Sequence, residues 1–141
     1  MIERRRGRNS LPYLYDRENY MYLYIMGAGD YIKIGTSKYP EKRLKQIQTG
    51  NPNKIVLEDT ALYDWNSAHK IEKIIHTIFS GYAVTGPTKT EWFQRKILQY
   101  LLPLEEKADY WVQKCKEKGT IMKLDDFLAG ETHSQLIVTA T

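Results

Sequence analysis

Between Tyr22 and Gln48 the chain alternates, turns, alternates again and then changes period, and that succession leaves few folds open. Residues 20–26, rich in Tyr and Leu, read as a strand. Gly27-Ala28-Gly29-Asp30 reads as a hairpin turn, because glycine tolerates positive φ. Residues 31–35 form the returning strand. Its alternation sends Ile32 and Ile34 toward the core and leaves Tyr31 and Lys33 on the opposite face. Gly35 ends it, with Thr36 and Ser37 as turn or cap residues. Pro40 and Glu41 suit the first turn of a helix. Arg43, Leu44, Ile47 and Gln48 then recur at helical spacing, and Gly50-Asn51-Pro52-Asn53 stops the helix. This order brings the Tyr24 hydroxyl, the Lys33 ammonium and the Arg43 guanidinium within reach of one another. Such a cluster suits an anionic ligand that bears phosphate.

The rest of the chain continues in the same mixed style. Ile55-Val56-Leu57 through Ala61-Leu62-Tyr63 reads as a third strand. Asn66-Ser67 is the expected cap of a helix that runs to about Phe79. A loop rich in Gly, Thr and Pro covers 81–90. Glu91-Trp92-Phe93 opens a helical stretch to about Leu102, which Pro103 breaks. Residues 104–118 follow as an amphipathic helix with Ala108, Trp111, Val112 and Cys115 on one side and Gly119 as its stop. Residues 124–128 add one more helical turn. The expected architecture is α+β, a small three-stranded antiparallel sheet flanked by helices, with a C-terminal helical extension. Four segments follow from it. Residues 1–19 form a basic N-terminal arm, 20–95 the core domain, 96–130 the helical extension and 131–141 a flexible tail.

Composition narrows the function classes. The chain has 141 residues with a net charge of +4, which is compatible with a nucleic-acid partner without requiring one. Its first eight residues hold Arg4, Arg5, Arg6 and Arg8 against one acid, Glu3. Eleven tyrosines stand against three phenylalanines, a usage that suits surfaces both packed and wet. The single cysteine, Cys115, rules out an intrachain disulfide and a cysteine-rich zinc cage, and a reducing cytosol is the natural compartment. No apolar run reaches the roughly 18 residues that span a bilayer, and no apolar segment follows the arginines as in a secretory signal.

A second chemical signal lies in Ala68–Phe79. Ile71, Ile74, Ile75 and Ile78 form one stripe at helical spacing. Glu72 borders that stripe, His76 follows it by four residues and His69 precedes it by three. A carboxylate at the edge of an apolar face is well placed to hold a metal ion partly shielded from water. The histidines lack the spacing in which two His four apart flank a Glu, so the pattern does not indicate zinc. Taken singly, each of these residues has a plainer reading: Glu72 as a solvated flank, His76 as a packed histidine, Lys33 and Arg43 as surface cations. Their joint appearance carries the signal.

That joint pattern resembles the GIY-YIG nuclease superfamily, in particular its phage-associated GIY-YIG-like branch. Tyr22-Leu23-Tyr24 stands where the first motif is expected and Lys33-Ile34-Gly35 where the second is. Glu41-Lys42-Arg43 is similar to the segment with the catalytic arginine, and Ile71-Glu72 with Ile75-His76 to the segment with the acidic ligand. Glu91-Trp92-Phe93 is similar to the signature that closes the domain in that branch. The match covers about residues 20–95. Lys33 replaces the second-motif tyrosine, Ile47 stands where several members carry histidine, and the late asparagine has no clear counterpart apart from nearby Glu91.

The resemblance implies a metal-dependent endonuclease that hydrolyses phosphodiester bonds. Glu72 would hold one Mg²⁺ or Mn²⁺, and Arg43 would bind the phosphate. Tyr24 would accept a proton from the attacking water with Lys33 beside it, and His76 would orient water or Glu72. Glu91 is expected to be structural, next to the core anchors Trp92 and Phe93. Arg4, Arg5, Arg6, Arg8, Lys38, Lys42 and Lys45 are placed to contact other phosphates without reading sequence. Tyr31 and Tyr39 are candidates for stacking on an unpaired base. The expected partner is nucleic acid, DNA rather than RNA, in a bacterial or phage-infected cytosol, with no membrane. Two alternatives stay open: an inactive module that regulates or inhibits a host protein, with Trp111 on the C-terminal helix as its anchor, and an RNA-binding protein that uses the same basic face.

Overall fold

The computed structural model describes residues 19–84 and 92–130. Arg4, Arg5, Arg6, Arg8 and Glu91 lie outside the described residues, as does the tail from 131 onward. Strand β1 (Tyr20–Ala28) pairs antiparallel with β2 (Tyr31–Ser37) across Gly29-Asp30. Each limb is two residues longer at one end than expected. Gly27 and Ala28 continue the ladder opposite Ile32 and Tyr31, so the turn shrinks to its tightest form, with Gly29 at φ 59°. Helix α1 (Pro40–Thr49) follows, then β3 (Val56–Asp64), which pairs with the other edge of β1, and α2 (Trp65–Ile78).

The sheet has four strands where three were expected. Trp92–Gln94 forms β4, paired antiparallel with β2 through Tyr31↔Gln94, Ile32↔Phe93 and Lys33↔Trp92, giving the order β3-β1-β2-β4. The apolar pair Trp92-Phe93 suited a helix as well as a strand. The open edge of β2 decides between them, because its backbone groups need partners and Phe93 fits beside buried Ile32 and Ile34 in the core. Residues Arg95–Tyr100 then form a 3₁₀ segment, and α3 (Leu104–Lys118) completes the chain's long helices. Residues 124–130 are helical as well. Among the described residues no helix is long and apolar enough to cross a membrane.

Both faces of the central hairpin are covered, and this explains the burial of its polar residues. Leu23, Ile25, Ile32 and Ile34 meet Ile71, Ile75 and Ile78 of α2, with Leu104, Ala108 and Trp111 of α3 in the same cluster. On the opposite face Tyr24, Met26, Ala28 and Ile55 pack together, with Leu44 and Ile47 of α1, Leu57 and Trp92 around them. Ile32 and Ile34 face the α2 side as their alternation predicts. Lys33 faces the other way but is buried, since α1 and Trp92 close over that side.

The helical segments after β4 share one core with the sheet. Trp111 is 4% exposed. Its ring meets Phe79 and Phe127 at 5.6 and 5.5 Å, and its indole N–H donates to the Tyr100 carbonyl at 2.8 Å. The apolar face of this helix packs into the core, the plainer of its two readings, and Trp111 is not available there as an anchor for a partner protein. The N-terminus of α3 is tied back to the sheet, where the Leu104 amide donates to the Asp59 carboxylate at 2.8 Å. Tyr82 donates to Asp125 at 2.6 Å, and that bond raises the tyrosine's pKa.

The cap of α2 also differs from expectation. Asp64, one residue before the helix, takes the role assigned to Asn66-Ser67. Its carboxylate accepts from the Ser67 amide at 3.0 Å and the Ser67 hydroxyl at 2.7 Å. The end of β3 is already extended, and an N-cap requires that backbone. These bonds, with the amide the larger cause, lower the Asp64 pKa below 3.8. A lowered carboxylate pKa contributes stability above the unfolded value of about 3.9 and loses it as pH falls through the folded value. Asp64→Ala should cost about 1 kcal/mol at neutral pH. In thermal melts the gap to wild type should close as the pH drops into the acid range; a gap that widens there would count against this cap.

Candidate active site

Three elements meet at the end of β2, where it leaves the sheet. Strand β4 stops opposite Lys33, so residues 34–37 have no strand on that side among the described residues. The Ile34 carbonyl takes its partner from α2 instead: the His76 ring Nε2 lies 2.8 Å away. A carbonyl only accepts, so Nε2 carries the proton and donates. The same ring stands edge-on to Phe93 at 5.0 Å. His76 is thereby locked between the strand edge and the core.

Glu72 sits one helical turn before His76, at the same edge. Thr36 Oγ1 donates to its Oε1 at 3.4 Å. His69 Nδ1 lies 3.8 Å from Oε1 and His76 Nε2 3.9 Å from Oε2. The carboxylate is held between two imidazoles, with its side chain 18% exposed. His69 stacks edge-on against half-exposed Trp65 at 4.5 Å. The alternation that carries Ile32 and Ile34 toward α2 carries Thr36 the same way, which is why a strand-end hydroxyl reaches a helix carboxylate. Thr36 was read only as a turn residue, yet that alternation was the available signal for its role. Trp92 was read as a core anchor, and it also lies 6.0 Å from the Lys33 ammonium by its ring centroid.

Tyr24 and Lys33 belong to the other face of the same strand pair. Tyr24 faces Gly35 across the ladder, and its ring lies directly over that residue. A Cβ at Gly35 would stand 2.5 Å from the Tyr24 hydroxyl oxygen and 2.7 Å from the carbon that bears it. Tyr24 is 1% exposed. Its hydroxyl thus sits beside the residue that precedes Thr36, at the same strand end as Glu72. Lys33 is on the Tyr24 face two residues before Gly35, and α1 and Trp92 cover that face.

Arg43 is on α1, in the turn after Pro40, on the outer side of the Tyr24 face. It is exposed. Its side-chain partner among the described residues is Gln46, with Nη1 donating to Oε1 at 3.3 Å. It is four residues before Ile47, which packs toward that face. The structure brings Glu72, His76 and Thr36 into contact and sets Tyr24 over Gly35. It does not pair Arg43 with Glu72. Lys42 and Lys45 are exposed along α1, and Lys38 lies 5.8 Å from the Tyr20 ring centroid. Tyr39 is 62% exposed and Tyr31 47%.

The donor set has a clear chemical character. Among the described residues no group of three or more His, Cys, Asp or Glu side chains converges as a metal cage. One partly exposed carboxylate fits Mg²⁺ or Mn²⁺, which keep most of their waters and take one or two carboxylates together with substrate oxygens. It does not fit a structural zinc, which wants four protein ligands.

A family model, the T5orf172 domain, matches residues 19–116. No curated protein and no solved structure matches the chain.

The contact between Tyr24 and Gly35 can be tested without any activity. Gly35→Ala should destabilise by about 1–3 kcal/mol, because the ring beneath it is buried and has nowhere to go. Adding Tyr24→Ala to that variant should recover part of the loss in a double-mutant cycle. Strict additivity in denaturant melts would show that the two side chains do not meet.

Proposed function

Because the chain belongs to the T5orf172 domain family, a phage-type domain whose function is connected with nucleic acid, we propose that it is a metal-dependent endonuclease of the GIY-YIG type that hydrolyses phosphodiester bonds in DNA. The observation that carries this reading is the carboxylate of Glu72 at the open end of β2, held by Thr36 one residue from the glycine under the Tyr24 hydroxyl. A scissile phosphate at that strand end would meet a carboxylate from one face and a phenol from the other, with Lys33 and Arg43 on the phenol's side.

Each residue then has a defined task. Glu72 would hold Mg²⁺ or Mn²⁺, which when bound neutralises the nonbridging oxygens and the leaving oxygen. Arg43, exposed and free of any carboxylate among the described residues, turns its planar fork of donors to the phosphate and stabilises charge that develops there. Tyr24 accepts the proton of the attacking water, directly or through a relay, and Lys33 on the same face favours the phenolate. His76 is a positioning residue. Its Nε2–H is engaged by the Ile34 carbonyl, so it sets the place of Glu72 rather than taking a proton through that nitrogen. Lys38, Lys42 and Lys45 hold neighbouring phosphates, and Arg4, Arg5, Arg6 and Arg8 add charge for further phosphate contacts. A DNA substrate and a buried thiol at Cys115 both suit a reducing cytosol.

Incubation with plasmid and single-stranded DNA, with Mn²⁺ or with chelator, tests the proposal. Cutting should require the metal and vanish in Glu72→Gln. It should fall roughly 10²–10³-fold in Arg43→Ala and about 10–100-fold in His76→Ala. Cleavage that survives Glu72→Gln would remove the site assignment. Tight DNA binding with no cleavage under any metal would instead support a module that binds without turnover.

A further inference from the structure

A cavity of about 720 Å³ opens at the far end of β2, lined by Asp30, Tyr31, Val84, Gln94, Arg95 and Lys96. Its size falls within the range of small-ligand sites. It does not belong to the Glu72 site, but it shares a sheet face with part of it. Tyr31 pairs with Gln94 and Lys33 with Trp92, and residues two apart on a strand project to the same side. Tyr31, Lys33 and Gly35 thus form one continuous row. The row begins at the cavity and ends under the Tyr24 hydroxyl, about 13 Å away at the rise of a strand.

The lining side chains divide into those already engaged and those that are not. Arg95 is committed: its Nη2 pairs with Glu58 Oε2 at 3.1 Å and its Nε donates to the Gly29 carbonyl. It props the wall. Tyr31 is 47% exposed and has no ring partner among the described residues. The Gln94 amide makes no side-chain hydrogen bond among them. The Lys96 ammonium forms no ion pair there and rests 5.3 Å from the Tyr82 ring centroid. An open aromatic face, an amide that both donates and accepts, and a lysine that forms no ion pair are the three functions that hold a nucleotide, a surface for the base, a partner for its edge and a charge for its phosphate, with the Asp30 carboxylate as the acid of the lining.

We infer that this cavity takes one unpaired nucleotide of the substrate strand, its base stacked on Tyr31 and its phosphate against Lys96. The inference rests on the nuclease reading for the identity of the strand. It adds that the substrate is single-stranded, or locally opened, where it meets this end of β2. A base in an intact duplex has no free face for Tyr31, so the subsite distinguishes single from paired strands without reading sequence.

The test uses the full chain, with chelator present so that nothing is cut. Affinity for a fluorescein-labelled oligo-dT is compared with that for a duplex of the same length. Tyr31→Ala should weaken oligo-dT binding about tenfold, the loss of one stacked base, and leave duplex binding nearly unchanged, while Tyr31→Phe keeps wild-type affinity. Lys96→Ala should reduce the slope of log affinity against log salt by about 0.7. Both side chains are exposed, so an unchanged melting temperature is expected and excludes misfolding. Photocrosslinking of an oligonucleotide that carries 5-iodouracil should label the peptide containing Tyr31. Equal losses on single strand and duplex, unchanged affinity in both variants, or crosslinks confined to other peptides would each overturn the subsite. Metal-dependent cleavage lost in Glu72→Gln would still stand in that case. Conversely, a Tyr31 effect without any cleavage would keep the subsite and remove the enzyme.

Discussion

A tyrosine ring lying over a glycine in the neighbouring strand sets the spacing of everything around the candidate site. Tyr24 can be nearly fully buried beside α1 only because residue 35 has no side chain. The missing Cβ lets the ring lie across the strand pair and brings its hydroxyl to the strand end. There the backbone leaves the sheet, Thr36 turns toward α2, and α1 starts three residues after Ser37.

The same edge accounts for the histidine. Strand β4 covers β2 for three residues and then stops. A carbonyl left beyond it costs free energy unless something donates to it, and His76 does. One imidazole thus satisfies the sheet, contacts Phe93 and stands beside Glu72. Structural and chemical demands coincide on a side chain that the sequence marked only by its spacing from Glu72. At the other end of β2 the Arg95–Glu58 pair and the bond to the Gly29 carbonyl tie the segment after β4 to the hairpin tip, so the short fourth strand braces the Tyr31 end of the row that runs from Tyr31 to Gly35.

Much of this was legible in the residues. The alternation in 20–35, the Pro40 start of α1 and the isoleucine stripe of α2 each follow from local periodicity, and each appears in the structure with the expected face inward. What failed did so for identifiable reasons. Trp92-Phe93-Gln94 is too short to show a period, so only the unpaired edge of β2 could make it a strand. The α2 cap moved from Asn66-Ser67 to Asp64 because β3 ran to its very end, and both segments carry residues able to cap. Trp111 suited the core better than a partner, but the sequence did not show against what, since its neighbours Phe79 and Phe127 are 32 and 16 residues away along the chain.

The sequence by itself determined which residues alternate, where helices begin, and that a phenol, cations and a carboxylate exist at spacings resembling a known superfamily. Periodicity is local and depends only on backbone geometry, so it survives without knowledge of the fold. Only the tertiary structure decided that Lys33 is buried under Trp92, that Thr36 and His76 hold Glu72, that Arg43 stays exposed on α1, and that Tyr31 opens onto a cavity. These are contacts between segments tens of residues apart. They depend on which strand edge is covered and for how far, and no window of neighbouring residues contains that information.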